Sequence, residues 1–151
     1  MTPLPESRLV LHNEFAELNR LAGWIEDWTQ RHALSPDQSF AIALCLEEAV
    51  ANVIMYGDTG SDRLEIAVEA EHNAGTSIVR IEDNGRQFDP TQVPSPPVAA
   101  SLQKAKIGNV GVHLMRSFAS GMHYERRDGR NRLTLRFREP DVPSKQAGAR
   151  Q

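Results

Sequence analysis

Apolar residues recur along this chain at two different intervals, and the change from one to the other marks out its elements. Spacings of three and four dominate two early stretches. Leu18, Leu21, Ile25 and Trp28 line one side of a first helix. Asn13 is placed to cap it, with Glu14 and Glu17 at its positive end and Arg31 and His32 at its negative end. Ile42, Ala43, Leu46, Val50 and Val53 line a second helix, from Ser35 to Gly57. Ser35 is its expected cap, Pro36 suits the first helical position and Gln38 completes a capping box. Gly57 stands where a left-handed C-cap is expected.

A spacing of two takes over elsewhere. Arg8 to His12 reads as a short strand. From Arg63 to Ala70, Leu64, Ile66, Val68 and Ala70 alternate with Arg63, Glu65 and Glu69, and Ser77 to Asp83 follows across an Asn73-Ala74-Gly75 turn. Helical period returns over Val110–Ala119, with Val110, Leu114 and Phe118 on one face. Met122–Arg127 and Asn131–Arg138 then form a hairpin about Asp128-Gly129.

The stretch from Asn84 to Gly111 is irregular and proline-rich, with one short helix expected at Val98–Gln103. A connection of that length in a compact domain is usually functional, often as a lid. The order β-α-α-β-β-(loop)-α-β-β predicts an α+β fold, a two-layer sandwich of a mostly antiparallel sheet with helices on one face. Residues 1–138 are expected to be a single domain, and 139–151 a disordered tail without periodic apolar positions.

Composition narrows the function classes. At 151 residues the chain suits one core. A net charge of −3 gives no reason to expect direct contact with nucleic acid. The lone Cys45 excludes an intrachain disulfide and a cysteine-built zinc site. No basic region followed by an apolar run opens the chain, and no apolar stretch is read as approaching the ~20 residues that cross a bilayer. The expectation is a cytoplasmic protein without a membrane partner.

Three segments carry candidate chemistry. In the second helix Glu48 and Asn52, four apart, share a face roughly opposite the apolar stripe, and Ala41, Cys45 and Ala49 leave room beside them. Taken alone, this pair reads as a solvated helix face. Asp83 ends a strand with the parity of Val79 and Ile81, so it faces the core and needs a partner. Gly85 follows it and would let a ring lie close to the backbone. Third, Gly108-Asn-Val-Gly111 opens a helix, where backbone N–H groups and the helix dipole favour an anion, and Lys104 and Lys106 precede it.

Together, Glu48-Ala-Val-Ala-Asn52, Asp83-Asn-Gly85-Arg-Gln-Phe88-Asp-Pro90 and Gly108-Asn-Val-Gly111-Val-His-Leu114 resemble the N, G1 and G2 boxes of the GHKL ATP-binding superfamily of gyrase, Hsp90, histidine kinases and MutL. The nearest likeness is to the small anti-sigma-factor serine/threonine kinases of bacterial partner switching. The resemblance implies a GHKL fold, ATP and Mg²⁺ as cofactors, Glu48 as general base and Asn52 as a magnesium ligand. It implies that Asp83 and Gly85 meet adenine, that Lys106, Gly108, Gly111 and Val112 lie at the phosphates, and that the residues between Pro90 and Ile107 form an ATP lid. Gln87 and Asn109 depart from the pattern where glycines are frequent. Where the superfamily has a threonine near adenine, Thr134 has the outward parity, so Asn131 is the expected nucleotide-binding residue. A sigma factor, a small anti-anti-sigma protein of the STAS type and a homodimer are the implied partners. A non-catalytic ATP-binding adaptor that grips a regulatory protein is the competing reading, and Glu48 speaks against it.

Overall fold

The computed structural model describes residues 7–58, 64–92 and 107–139, with the backbone alone for 107–110. The expected helix at 98–103, Lys104 and Lys106, most of the expected lid and the tail from residue 140 lie outside the described residues. Five strands form one sheet in the order β1-β2-β3-β5-β4, with every neighbouring pair antiparallel. They are β1 (Ser7–His12), β2 (Glu65–Asn73), β3 (Thr76–Asp83), β4 (Gly121–Arg127) and β5 (Arg130–Arg138). Among the described residues three helices, α1 (Glu17–Arg31), α2 (Pro36–Tyr56) and α3 (Ile107–Phe118), accompany the sheet in an α+β arrangement, and a 3-10 turn spans Pro90–Gln92.

The two tight hairpins follow from their turn residues. Ala74 and Gly75, then Asp128 and Gly129, both take positive φ at the two central positions, the conformation whose twist matches the flanking strands. Period two then sorts the sheet. Ile66, Val68, Val79, Ile81, Leu133, Leu135 and Phe137 point to the helices and join Leu21, Ile25, Trp28, Ile42, Leu46 and Val50 in one core. Each such large side chain contributes about 1.5–3 kcal/mol on burial. The opposite face carries charges instead, among them Glu71–Arg80 at 2.8 Å and Glu82–Arg132 at 3.0 Å.

Helix ends hold the main differences from expectation. Ser35 does cap α2, its Oγ accepting the Gln38 N–H at 3.1 Å. The Ser35 N–H goes to the Glu139 carboxylate at 3.4 Å rather than to Gln38, and the Ser35 hydroxyl donates to the same carboxylate at 3.2 Å. Glu139, placed by sequence in the tail, is thus held, and its own N–H donates to the Gly75 carbonyl. Asn13 does not cap α1. The helix begins at Glu17 behind an uncapped Ala16, because the Glu17 carboxylate accepts the His12 N–H at 2.8 Å and fixes the turn there. Gly57 is right-handed, with φ −85°, not left-handed. A Cβ there would lie 2.7 Å from the Val53 carbonyl oxygen, so close approach and not a positive φ calls for glycine.

Helix α2 is also more buried than a one-sided stripe predicts. Ala41, Cys45, Ala49 and Asn52 join Ile42, Leu46 and Val50 among its buried residues. With 21 residues and a mean hydropathy of 1.5, it is long and apolar enough to cross a membrane by length and composition, contrary to the sequence expectation. A buried core helix meets the same measure. Away from β3's C-terminal end, Trp28 packs 4.7 Å from the His32 ring, and His32 lies 5.4 Å from His72 of β2.

Candidate functional site

The register of the sheet assembles the site. Asp83, the last residue of β3, pairs with Asn131 near the start of β5 and with Ile66 of β2. The C-terminal half of α2 lies over this end of the sheet. Between them is a pocket open to solvent. Ala49, Val53, Ile81, Met115 and Leu133 make its apolar walls, Asn52, Asp83 and Asn131 its buried polar groups, and Tyr56, Phe88 and Tyr124, each partly exposed, its aromatic rim.

Asp83 is 3% exposed. Its Oδ1 accepts the Gly85 N–H at 2.9 Å and the Asn131 amide at 3.0 Å, and among the described residues both hydrogen bonds of the carboxylate fall on that oxygen and none on Oδ2. Burial pushes the Asp83 carboxyl above the ordinary value, opposed by the Asn131 and Gly85 hydrogen bonds and by the Arg126 guanidinium. Gly85 is required for contact rather than conformation. A Cβ there would meet the Gly57 carbonyl oxygen at 2.5 Å and Leu64 Cδ1 at 2.8 Å. The Arg86 N–H donates to that same Gly57 carbonyl at 2.8 Å, and Arg126 donates to the Gly85 carbonyl at 2.9 Å. The loop after β3 is therefore fastened to the end of α2 on one side and to β4 on the other.

On α2, Asn52 is 6% exposed and its amide nitrogen has no hydrogen-bond partner among the described residues. A buried amide left open towards a pocket fits a phosphorylated ligand with its cation. The nitrogen can donate to a phosphate oxygen, and the oxygen can join Mg²⁺, which takes few protein ligands and keeps water and phosphate oxygens. One turn earlier, Glu48 lies against α3, where a Cβ on Gly111 would come 2.5 Å from its Oε1. Burial, and then the neighbouring Glu47 carboxylate, raise the Glu48 carboxyl above the usual range. That suits a group that must accept a proton near neutral pH. Burial, with Glu48 nearby, pushes the Cys45 thiol up to about 12, so it stays protonated and is not a nucleophile.

The structure thus brings Glu48, Asn52, Asp83, Gly85, Gly111 and Asn131 to one end of the sheet. Some roles differ from the reading of the sequence. Gly111 is the fifth residue of α3, past the four whose N–H groups lack helical partners, and its missing side chain makes room for Glu48. Val112 is fully buried in the core. Gly108 lies in the first turn of α3, and Lys106 is outside the described residues. Of the small residues expected to leave room on α2, Ala49 lines the pocket, whereas Ala41 and Cys45 are core. Sequence reasoning missed Tyr56, Tyr124 and Arg126. Tyr124 pairs with Leu133 and so shares the inward parity, a signal available once the hairpin register is known.

Comparison with known proteins agrees with this geometry. Residues 11–137 match the model of the histidine kinase-like ATPase domain. The chain is 38% identical over 112 residues to the serine/threonine-protein kinase BtrW of Bordetella bronchiseptica, covering 74% of this chain and 79% of that protein. Its fold is similar to the histidine kinase domain of the blue-light activated histidine kinase EL346 of Erythrobacter litoralis, with a TM-score of 0.51 and 16% identity over 82% of this chain. A longer chain of that kinase gives a TM-score of 0.53 and 14% identity over 85% of this chain. The chain spans 60% and 42% of those two structures. The family model spans most of the chain and the serine/threonine kinase relative is covered over most of its length, so the chain belongs to the histidine kinase-like ATPase family.

Proposed function

We propose that this protein is an ATP-dependent protein serine/threonine kinase of a partner-switching system. In this reading it holds a sigma factor and phosphorylates a small anti-anti-sigma protein of the STAS type, as a cytoplasmic homodimer. The observation that carries the kinase reading is the Glu48 carboxylate, its pKa raised by burial, one helical turn from the open Asn52 amide and against the start of α3. The 38% identity to a serine/threonine-protein kinase supports the acceptor class.

Chemically, Asp83 Oδ2 accepts the exocyclic amino group of adenine and the apolar walls cover the ring. Asn52 binds at the phosphate end, where Mg²⁺, when bound, offsets charge on the phosphates. Glu48 takes the proton from the incoming serine hydroxyl as its oxygen bonds to the γ-phosphorus, and the bond from that phosphorus to the β,γ-bridging oxygen breaks to leave ADP. A pure binder has no use for that base. The test is to incubate the purified chain with γ-labelled ATP and candidate STAS-type proteins. Label should pass to a serine or threonine of the partner, and Glu48→Ala should bind ATP yet transfer about 10²–10⁴-fold more slowly. Transfer by Glu48→Ala at the wild-type rate would remove Glu48 from the chemistry. ATP-dependent partner binding with no transfer by either protein would favour the adaptor.

A further inference from the structure

Behind Asp83 lies a set of hydrogen bonds that the phosphotransfer chemistry does not use. Asn131, 6% exposed, donates from Nδ2 to Asp83 Oδ1 at 3.0 Å and to the Arg86 carbonyl at 2.8 Å. Its Oδ1 accepts the Phe88 N–H at 3.3 Å and the Tyr124 hydroxyl. A carboxamide has two donor hydrogens and two acceptor positions, so the hydrogen-bonding capacity of Asn131 is filled by protein. The orientation of the amide is fixed as well. A backbone N–H can only donate and a backbone carbonyl can only accept, so the Phe88 and Arg86 groups force the oxygen to one side and the nitrogen to the other.

We propose that Asn131 and Tyr124 are positioning residues that make Asp83 a one-oxygen acceptor, and thereby set the preference of the pocket for purines bearing an exocyclic amino group. The proposal rests on the nucleotide reading of the site. It deepens that reading by assigning Asn131 an effect through Asp83 in place of a hydrogen bond to the ligand. Asn131 and Gly85 hold both their N–H groups on Asp83 Oδ1, so the carboxylate cannot turn, and Oδ2 is presented to the pocket at a fixed angle. Tyr124 holds Asn131 from behind. It stands on an edge strand, β4, where its half-buried ring lines the pocket and its hydroxyl donates to Asn131 Oδ1. Burial raises the Tyr124 pKa, which keeps the hydroxyl a donor. Arg126, two residues on, is on the same side and secures the Gly85 carbonyl.

The experiment compares ATP with purine riboside 5′-triphosphate, which lacks the amino group and is otherwise the same molecule. Because the triphosphate is common to both, any change at the phosphate or cation end cancels in the ratio of their dissociation constants. Calorimetry should give the wild-type chain a preference for ATP of at least about tenfold, the size expected of a hydrogen bond to a buried carboxylate. In Asn131→Leu the ratio should fall to within about threefold, and Tyr124→Phe should fall between the two. A role in folding alone would weaken both ligands in step and leave the ratio at its wild-type value, and that result overturns the proposal. Thermal unfolding is followed in parallel. Should Asn131→Leu fail to fold, the ratio in Tyr124→Phe decides. A wild-type chain that binds both ligands equally would overturn the assignment of Asp83 as reader of the amino group but keep the nucleotide site. Failure to bind either ligand would overturn the nucleotide reading itself.

Discussion

Replacing Asp83 by asparagine separates two things that a buried charge does. Asn131 and Gly85 both donate to Oδ1, so the new side chain must turn its oxygen to them and its NH₂ into the pocket. Donor then meets donor at the adenine amino group, and ATP affinity should fall at least tenfold by calorimetry, given about 1.5–3 kcal/mol for a hydrogen bond to a charged group. Stability should move the other way. The carboxyl of Asp83 is raised in the folded state, so its contribution is present at low pH and lost as pH rises through the folded value. The melting temperature of Asp83→Asn should therefore gain on wild type as pH rises above the ordinary aspartate value of about 3.9, and a difference in melting temperature that stays constant with pH would contradict this. Glu48 offers a second test. Burial and Glu47 raise it, so the acid limb of phosphotransfer should lie above the usual glutamate value of about 4.3. Glu47→Gln should move that limb to lower pH and leave the plateau rate unchanged. The parity of Asp83, and of Asn131 over Thr134, was legible because a strand has a strict period of two. Tyr124 was not, since its meaning depends on a partner whose own partner lies on a third strand.

Glycines show how an element's needs escape its own sequence. Gly85 and Gly111 both stand where a Cβ would come within 2.5 Å of another atom, yet the obstacles differ in kind. At Gly85 it is the Gly57 backbone carbonyl, which cannot yield without parting the loop from the end of α2. Gly85→Ala should cost about 1–3 kcal/mol in chemical denaturation. At Gly111 it is the end of the Glu48 side chain, which can swing. Gly111→Ala gains about 1 kcal/mol of helix propensity, so the melting temperature should hold or rise. Phosphotransfer should nonetheless fall about 10²-fold, because the base has been moved from its place. Equal activity in Gly111→Ala would show that Glu48 acts from a different rotamer. Read locally, Gly108-x-x-Gly111 is an anion cradle at a helix start; the claim of Glu48 on Gly111 comes from the packing of α3 on α2, which no local pattern contains. Helix α1 repeats the lesson. Asn13 is a good cap by type, but the Glu17 carboxylate takes the His12 N–H and starts the helix four residues later.

At the scale of the whole molecule, period and turn chemistry were enough for the α+β class, the two tight hairpins and an antiparallel sheet. They could not place β5 beside β3, with β4 outermost, because each strand of a hairpin is equally able to take the inner place until side chains pack. That choice builds the site, for it sets Asn131 opposite Asp83. Glu139 was misread for a related reason: it has no periodic apolar neighbours, and its value lies in the Ser35 cap it completes from far along the sequence. The placement of the tryptophans has an optical consequence. Both stand on α1, Trp28 fully buried with a ring nitrogen that has no hydrogen-bond partner among the described residues, and neither lines the pocket. Indole emission should therefore begin blue and shift red as denaturant opens the core, while saturating nucleotide leaves its wavelength unchanged. The chain carries a built-in gauge of folding that is blind to its ligand, so a nucleotide-induced shift of that emission would mean that α1 moves when the pocket fills.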